Sequence, residues 1–86
     1  MTNYRLSSGM RWSVERASIL VSDGRGGAQA LAYPEAAVWD LVSRGYPFSR
    51  VVALMAHIAA VDSSAAETLV RSTMEQWAAN GWVEST

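Results

Sequence analysis

Cysteine is absent from the chain, so neither a disulfide framework nor a thiolate metal site can form, and stability has to come from packing. Lysine is absent too. All seven basic residues are arginines, set against eight acidic residues and a single histidine, for a net charge of −1. No net positive field therefore gathers phosphates, which weighs against a nucleic-acid partner while leaving room for a local patch. Long apolar runs are missing. The start, Met1-Thr2-Asn3-Tyr4-Arg5, has none, and nowhere do the roughly 18 apolar residues of a membrane span follow one another. Neither a signal peptide nor a membrane partner is expected, and the cytoplasm is the default location. Internal repeats, low-complexity segments and linkers are also lacking.

What is present is a compact-domain composition: 86 residues, 50% apolar and 17% charged. That length leaves no room for a second domain, because chains divide into units of roughly 100 to 150 residues. Residues 1–9, with Ser7-Ser8-Gly9, read as a flexible lead-in, and the domain proper as residues 10–84. Met10, Trp12 and Val14 alternate with Arg11, Ser13 and Glu15, the period of a strand with one buried face, over 10–16. A second strand follows at Ile19-Leu20-Val21-Ser22. Asp23-Gly24 and Gly26-Gly27 tolerate the positive φ of a tight hairpin turn, so a third strand, Ala28 to Tyr33, pairs with the second. Ala28, Ala30 and Ala32 share one of its faces and Gln29, Leu31 and Tyr33 the other; the alternation alone does not say which is buried.

Pro34 opens a helix and Glu35 meets the positive end of its dipole, with Val38, Leu41 and Val42 as the apolar stripe and Gly45 as the stop. After Tyr46-Pro47, Phe48, Val51, Val52, Met55 and Ile58 mark a second amphipathic helix ending near Ala60. Asp62, Ser63 and Ser64 are candidate caps for a third, and Ser64 with Glu67 has the spacing of a capping box. This helix carries Ala66, Leu69, Val70, Thr73, Met74 and Trp77. Asn80-Gly81 ends it, Trp82-Val83 folds back over the core, and Glu84 to Thr86 frays. The fold class is α+β: a winged-helix-like, three-stranded antiparallel sheet followed by three helices, βββααα.

The residues that could carry chemistry do not assemble into a catalytic pattern. His57 has no second histidine or cysteine at ligand spacing, so no metal is expected. Asp40, Glu67 and Glu75 fall on helices without a recognisable acid-base pairing, and no serine sits in a nucleophile elbow. The glycines at 24, 26 and 27 precede no lysine and no helix, which favours a hairpin over a phosphate loop. Four tryptophans invite a stacking platform for single-stranded nucleic acid, but each occupies a position that packing would use first. No enzyme and no cofactor is implied.

The stretch Val21-Ser22-Asp23-Gly24-Arg25, followed by Tyr33-Pro34-Glu35-Ala36-Ala37-Val38-Trp39-Asp40-Leu41, resembles the PqqD-like family. There a short strand runs into a proline-initiated helix with a Trp-x-Leu element. The likeness continues through Gly45-x-x-Phe48, the Asp62-led helix and Gln76-Trp77-x-x-x-Gly81-Trp82-Val83. That family includes the pyrroloquinoline quinone synthesis protein D and the recognition elements of systems that modify ribosomally made peptides. The resemblance implies a chaperone for a partner enzyme, radical or cyclising, that binds the leader segment of a precursor peptide. By the same resemblance the leader adds as a strand to the free edge of the third strand and lies in the groove against the third helix. An exposed edge offers unpaired N–H and C=O groups for affinity and side-chain pockets for selectivity. The peptide-contact residues so implied are Gln29, Ala30, Leu31, Ala32 and Tyr33, with Leu69, Thr73 and Gln76 on the helix, while Val70, Met74 and Trp77 fill the core. Two departures stand out: Tyr33 replaces the capping Asn common before the proline, and Ala30 and Ala32 replace larger aliphatic residues.

Two other readings make different demands. A DNA-binding winged helix needs Arg44, Arg50 and Arg71 on one face and a salt-steep affinity for duplex. A dimerising subunit closes the open sheet edge with a second copy in place of a peptide, giving a homodimer.

Overall fold

The computed structural model describes residues 3–86. Its elements run β1 (Tyr4–Leu6), β2 (Arg11–Val14), β3 (Ile19–Ser22), β4 (Ala28–Leu31), α1 (Glu35–Ser43), α2 (Phe48–Ala59), α3 (Ser63–Ala79) and β5 (Val83–Ser85). The expected antiparallel sheet of three strands followed by three helices is there, in the order β2-β3-β4. Its strands stand in register with Trp12 opposite Val21, and Val21 opposite Gln29. In the β3–β4 turn Asp23 Oδ1 accepts from the Arg25 amide at 2.8 Å, and Gly24 and Gly26 take φ values of +77° and +88°. A side chain at either glycine would pay the left-handed penalty that the turn imposes.

The lead-in reading is corrected over the residues described. Tyr4–Leu6 pairs antiparallel with Val83–Ser85, so both ends of the chain form a second, two-stranded sheet. Met1 and Thr2 lie outside the described residues. An Arg5–Glu84 ion pair of 3.2 Å crosses the two strands, and Asn3 ties them to α2. The Asn3 carboxamide oxygen accepts from the Phe48 amide at 2.9 Å, occupying the α2 N-terminus that Pro47 leaves without a side-chain cap. Glu84 to Ser85 therefore belong to a strand, not to a fray.

Other boundaries shift for local reasons. Ala32 and Tyr33 leave the third strand because the Ala32 carbonyl turns to accept from the Ala36 amide at 2.9 Å, at the entry to α1. Asp62 is the N-cap of α3, accepting from the Ala65 amide at 2.7 Å, and the Ser64–Glu67 capping box does not form. Glu67 reaches forward to Arg71 instead, at 3.0 Å. The α2 stripe holds through Met55, but Ile58 is exposed near the helix end.

Trp39 is the centre of the core and is fully buried. Trp77, Trp12 and Trp82 stand edge-on to it with ring centroids 5.1, 5.9 and 6.2 Å away. Each such pair contributes about 0.5–1.5 kcal/mol beyond area burial. The tryptophans thus form one interior cluster, although Trp12, expected as core, is 43% exposed because β2 is an edge strand. The Trp39 Nε1–H has no hydrogen-bond partner among the described residues. Val38, Val51, Met55, Val70 and Met74 complete the helical side of the core, and Ile19, Val21 and Leu31 the sheet side.

Candidate peptide-binding edge

Hydrogen-bond parity decides what β4 presents to solvent. The Asp23 amide donates to the Gly27 carbonyl at 3.3 Å, so in this ladder the residues at 27, 29 and 31 point their backbone groups at β3. Ala28 and Ala30 point theirs away, as does the Ala32 N–H. The outer edge of the sheet is thus a row of alanine amides with no partner among the described residues. The buried face is also settled: Gln29 and Leu31 share the side of Val21 and Ile19, with Leu31 buried, whereas Ala28 and Ala30 stand on the outer face with Leu20 and Ser22.

Beside this edge lies an open groove of about 160 Å³, lined by Gln29, Ala30, Leu31, Ala32, Glu35, Gln76 and Trp77. Five of the residues expected at the site are brought together there: Gln29, Ala30 and Leu31 from β4, Ala32 just past its end, and Gln76 from α3. Three are not part of its lining. Tyr33 is 59% exposed and lies past the strand end, at the entry to α1. Thr73 is buried and its hydroxyl donates to the Leu69 carbonyl at 2.8 Å, while Leu69 is half-buried against the core. Only the last turns of α3 border the groove, which is why Gln76 reaches it and the residues one and two turns earlier do not.

Sequence reasoning missed Glu35 and Trp77. Glu35 has an obvious local role in the first turn of α1, which hides the fact that α1 starts where β4 ends and so brings its first carboxylate to the groove. Trp77 reads correctly as core, yet a buried ring can still show one edge to a cleft. Among the described residues Glu35 enters no ion pair; the three that form are Arg5–Glu84, Arg44–Asp40 and Arg71–Glu67. The groove therefore offers backbone donors and acceptors, a free carboxylate, a carboxamide and an aromatic wall.

The arginines that a duplex-binding face would need are engaged elsewhere. Arg44 is held by Asp40 at 3.0 Å, a bond that raises its pKa further, and Arg71 pairs with Glu67 while lying over the Phe48 ring. Arg50 lies over Tyr46. No group of three histidine, aspartate or glutamate side chains that could hold a metal occurs among the described residues, and none of their helices is long and apolar enough to cross a membrane.

An α+β domain whose open sheet presents a bare strand edge, β4, beside a helix is the class this geometry defines. Among solved structures the fold is shared by TbiB1, determined in complex with the TbiA(beta) leader peptide: TM-score 0.87 at 16% identity, over 93% of this chain and 94% of that one. No family model matches the chain, and no curated protein is significantly similar to it in sequence.

Proposed function

We propose that this chain is a non-catalytic recognition module of the PqqD-like kind, which binds the leader segment of a ribosomally made precursor peptide and presents it to a modifying enzyme. The observation that carries the reading is the bare β4 edge beside α3. There, outward-facing amides of Ala28, Ala30 and Ala32 border the groove of Gln29, Glu35, Gln76 and Trp77. The likeness of fold to a protein solved with a leader peptide supports it. The leader adds as a fourth strand: main-chain bonds to the alanines supply affinity, and the groove selects alternate side chains on the face of Gln29 and Leu31. The small alanine side chains let a second backbone approach closely. Glu35 favours a leader with a cationic side chain at that face, since an opposite charge is the natural partner for an unpaired carboxylate in a cleft. The module works where such peptides are made, in the cytoplasm.

The test is a titration of the isotope-labelled chain with the N-terminal half of the nearest encoded short peptide, following backbone amide shifts. Shifts concentrated in residues 28–32 and around Gln76 are the expected result. Absence of shifts at high peptide excess rejects the reading.

A further inference from the structure

The sheet has a second open edge, and it is chemically unlike the first. All four residues of β2 are exposed, Val14 at 75%. The Glu15 amide donates to the Ser18 carbonyl at 2.8 Å, so Arg11, Ser13 and Glu15 aim their backbone groups at β3, while Trp12 and Val14 aim theirs outward. Lysine and proline, usual protections of an edge, are missing from this one, and its unbroken register against β3 from Arg11 to Val14 leaves no bulge. Arg11 and Glu15 both lack an ion-pair partner among the described residues.

What fits the edge can be read from the edge itself. In an antiparallel pair, outward-pointing residues must stand opposite outward-pointing ones, so two copies of β2 meet about a two-fold axis at Trp12, Ser13 or Val14. An axis at Trp12 sets Arg11 against Ser13. One at Val14 sets Trp12 against Arg16. An axis at Ser13 sets Arg11 opposite Glu15 of the second copy and Trp12 opposite its Val14, each twice. That register alone matches opposite charges on one face and apolar side chains on the other, and cross-strand pairs of both kinds stabilise a sheet.

We propose that the chain forms a two-fold homodimer through β2 in the Ser13-centred register. The product is a continuous six-stranded sheet with a β4 edge at each outer end, so both peptide grooves stay open. The interface is a single pair of short strands, which places it among weak, concentration-dependent contacts.

Sedimentation of the full chain from micromolar to millimolar concentration tests this: the mass should rise from 9.3 kDa towards twice that value. Val14→Pro removes an outward N–H without touching the β3 ladder and should stay monomeric throughout, with circular dichroism reporting that it is folded. Arg11→Glu and Glu15→Arg, both at exposed positions, should each raise the dimer dissociation constant about tenfold, because each turns two attractive pairs into repulsive ones. The double variant restores the attraction and should recover dimerisation. A wild-type chain that stays monomeric at millimolar concentration overturns the proposal, as does a double variant no tighter than the singles.

Discussion

Replacing Ala30 by proline separates the two sides of the β4 strand. The Ala30 N–H points away from β3, so its loss breaks no ladder bond, and proline is tolerated on an edge strand in that orientation. Gln29, which precedes it, is already extended, as a residue before proline must be. In the complex, one carbonyl of the bound peptide then faces a pyrrolidine ring in place of a donor. An unpaired acceptor in such a cleft costs about 1–3 kcal/mol, which is about a 5- to 150-fold loss of affinity. Gln29→Pro is the converse. Its N–H faces Val21 across the ladder, so about 1–3 kcal/mol is lost from the fold itself, out of roughly 5–15 for a domain of this kind. The assays are calorimetric titration with the leader peptide and thermal unfolding of each variant. Ala30→Pro should melt near wild type and bind weakly, and Gln29→Pro should melt early. Wild-type affinity in Ala30→Pro, or early melting of that variant with a normal melt for Gln29→Pro, refutes the parity on which the site rests.

Four further outcomes, at three positions, concern the scaffold. Asp62→Ala removes the acceptor of the Ala65 amide and should destabilise by about 1 kcal/mol, or a fall of about 4–8 °C in Tm. Ala60 ends α2 with φ at +55°, a left-handed conformation that costs a side chain about 1–2 kcal/mol. Set against the greater freedom of glycine in the unfolded chain, Ala60→Gly should stabilise by about 0.5–1 kcal/mol in denaturant titration. Trp39→Ala opens a cavity among three indoles and should cost about 3–5 kcal/mol. Trp39→Phe keeps the ring packing and abolishes the orphaned N–H, so its cost by the same titration should stay below about 2 kcal/mol.

The three-stranded sheet and the three helices were legible because each rests on signals within a few residues. The alternation of Met10 to Glu15, the glycines of the β3–β4 turn, the stop at Gly45 and the apolar spacing from Phe48 to Met55 all act locally. The pairing of β1 with β5 was not. Each strand is three residues long, and Arg5 meets Glu84 across 79 positions, so no local pattern marks either. Asn3 as the acceptor for the α2 N-terminus was hidden for the same reason. The choice of Asp62 over Ser64 as cap turned on where the helix begins, which neighbouring candidates of similar propensity cannot decide. At the groove, the β4 residues followed from the family resemblance and Gln76 from the helix period. Thr73 and Leu69 share that period yet pack inward, since only the end of α3 passes the strand. Glu35 and Trp77 each had a sufficient structural explanation in sequence, and only the fold shows that they also line a cleft.

Amide hydrogen exchange in residues 28–31, with and without saturating leader peptide, tests strand addition most directly. Without peptide, the Gln29 and Leu31 amides should be protected by β3 and those of Ala28 and Ala30 should exchange quickly, an alternation fixed by the ladder. Peptide should slow Ala28 and Ala30 and leave the other two little changed. If Ala28 and Ala30 still exchange at their free rates while the peptide is demonstrably bound, the peptide lies elsewhere and the β4 edge is not the recognition site.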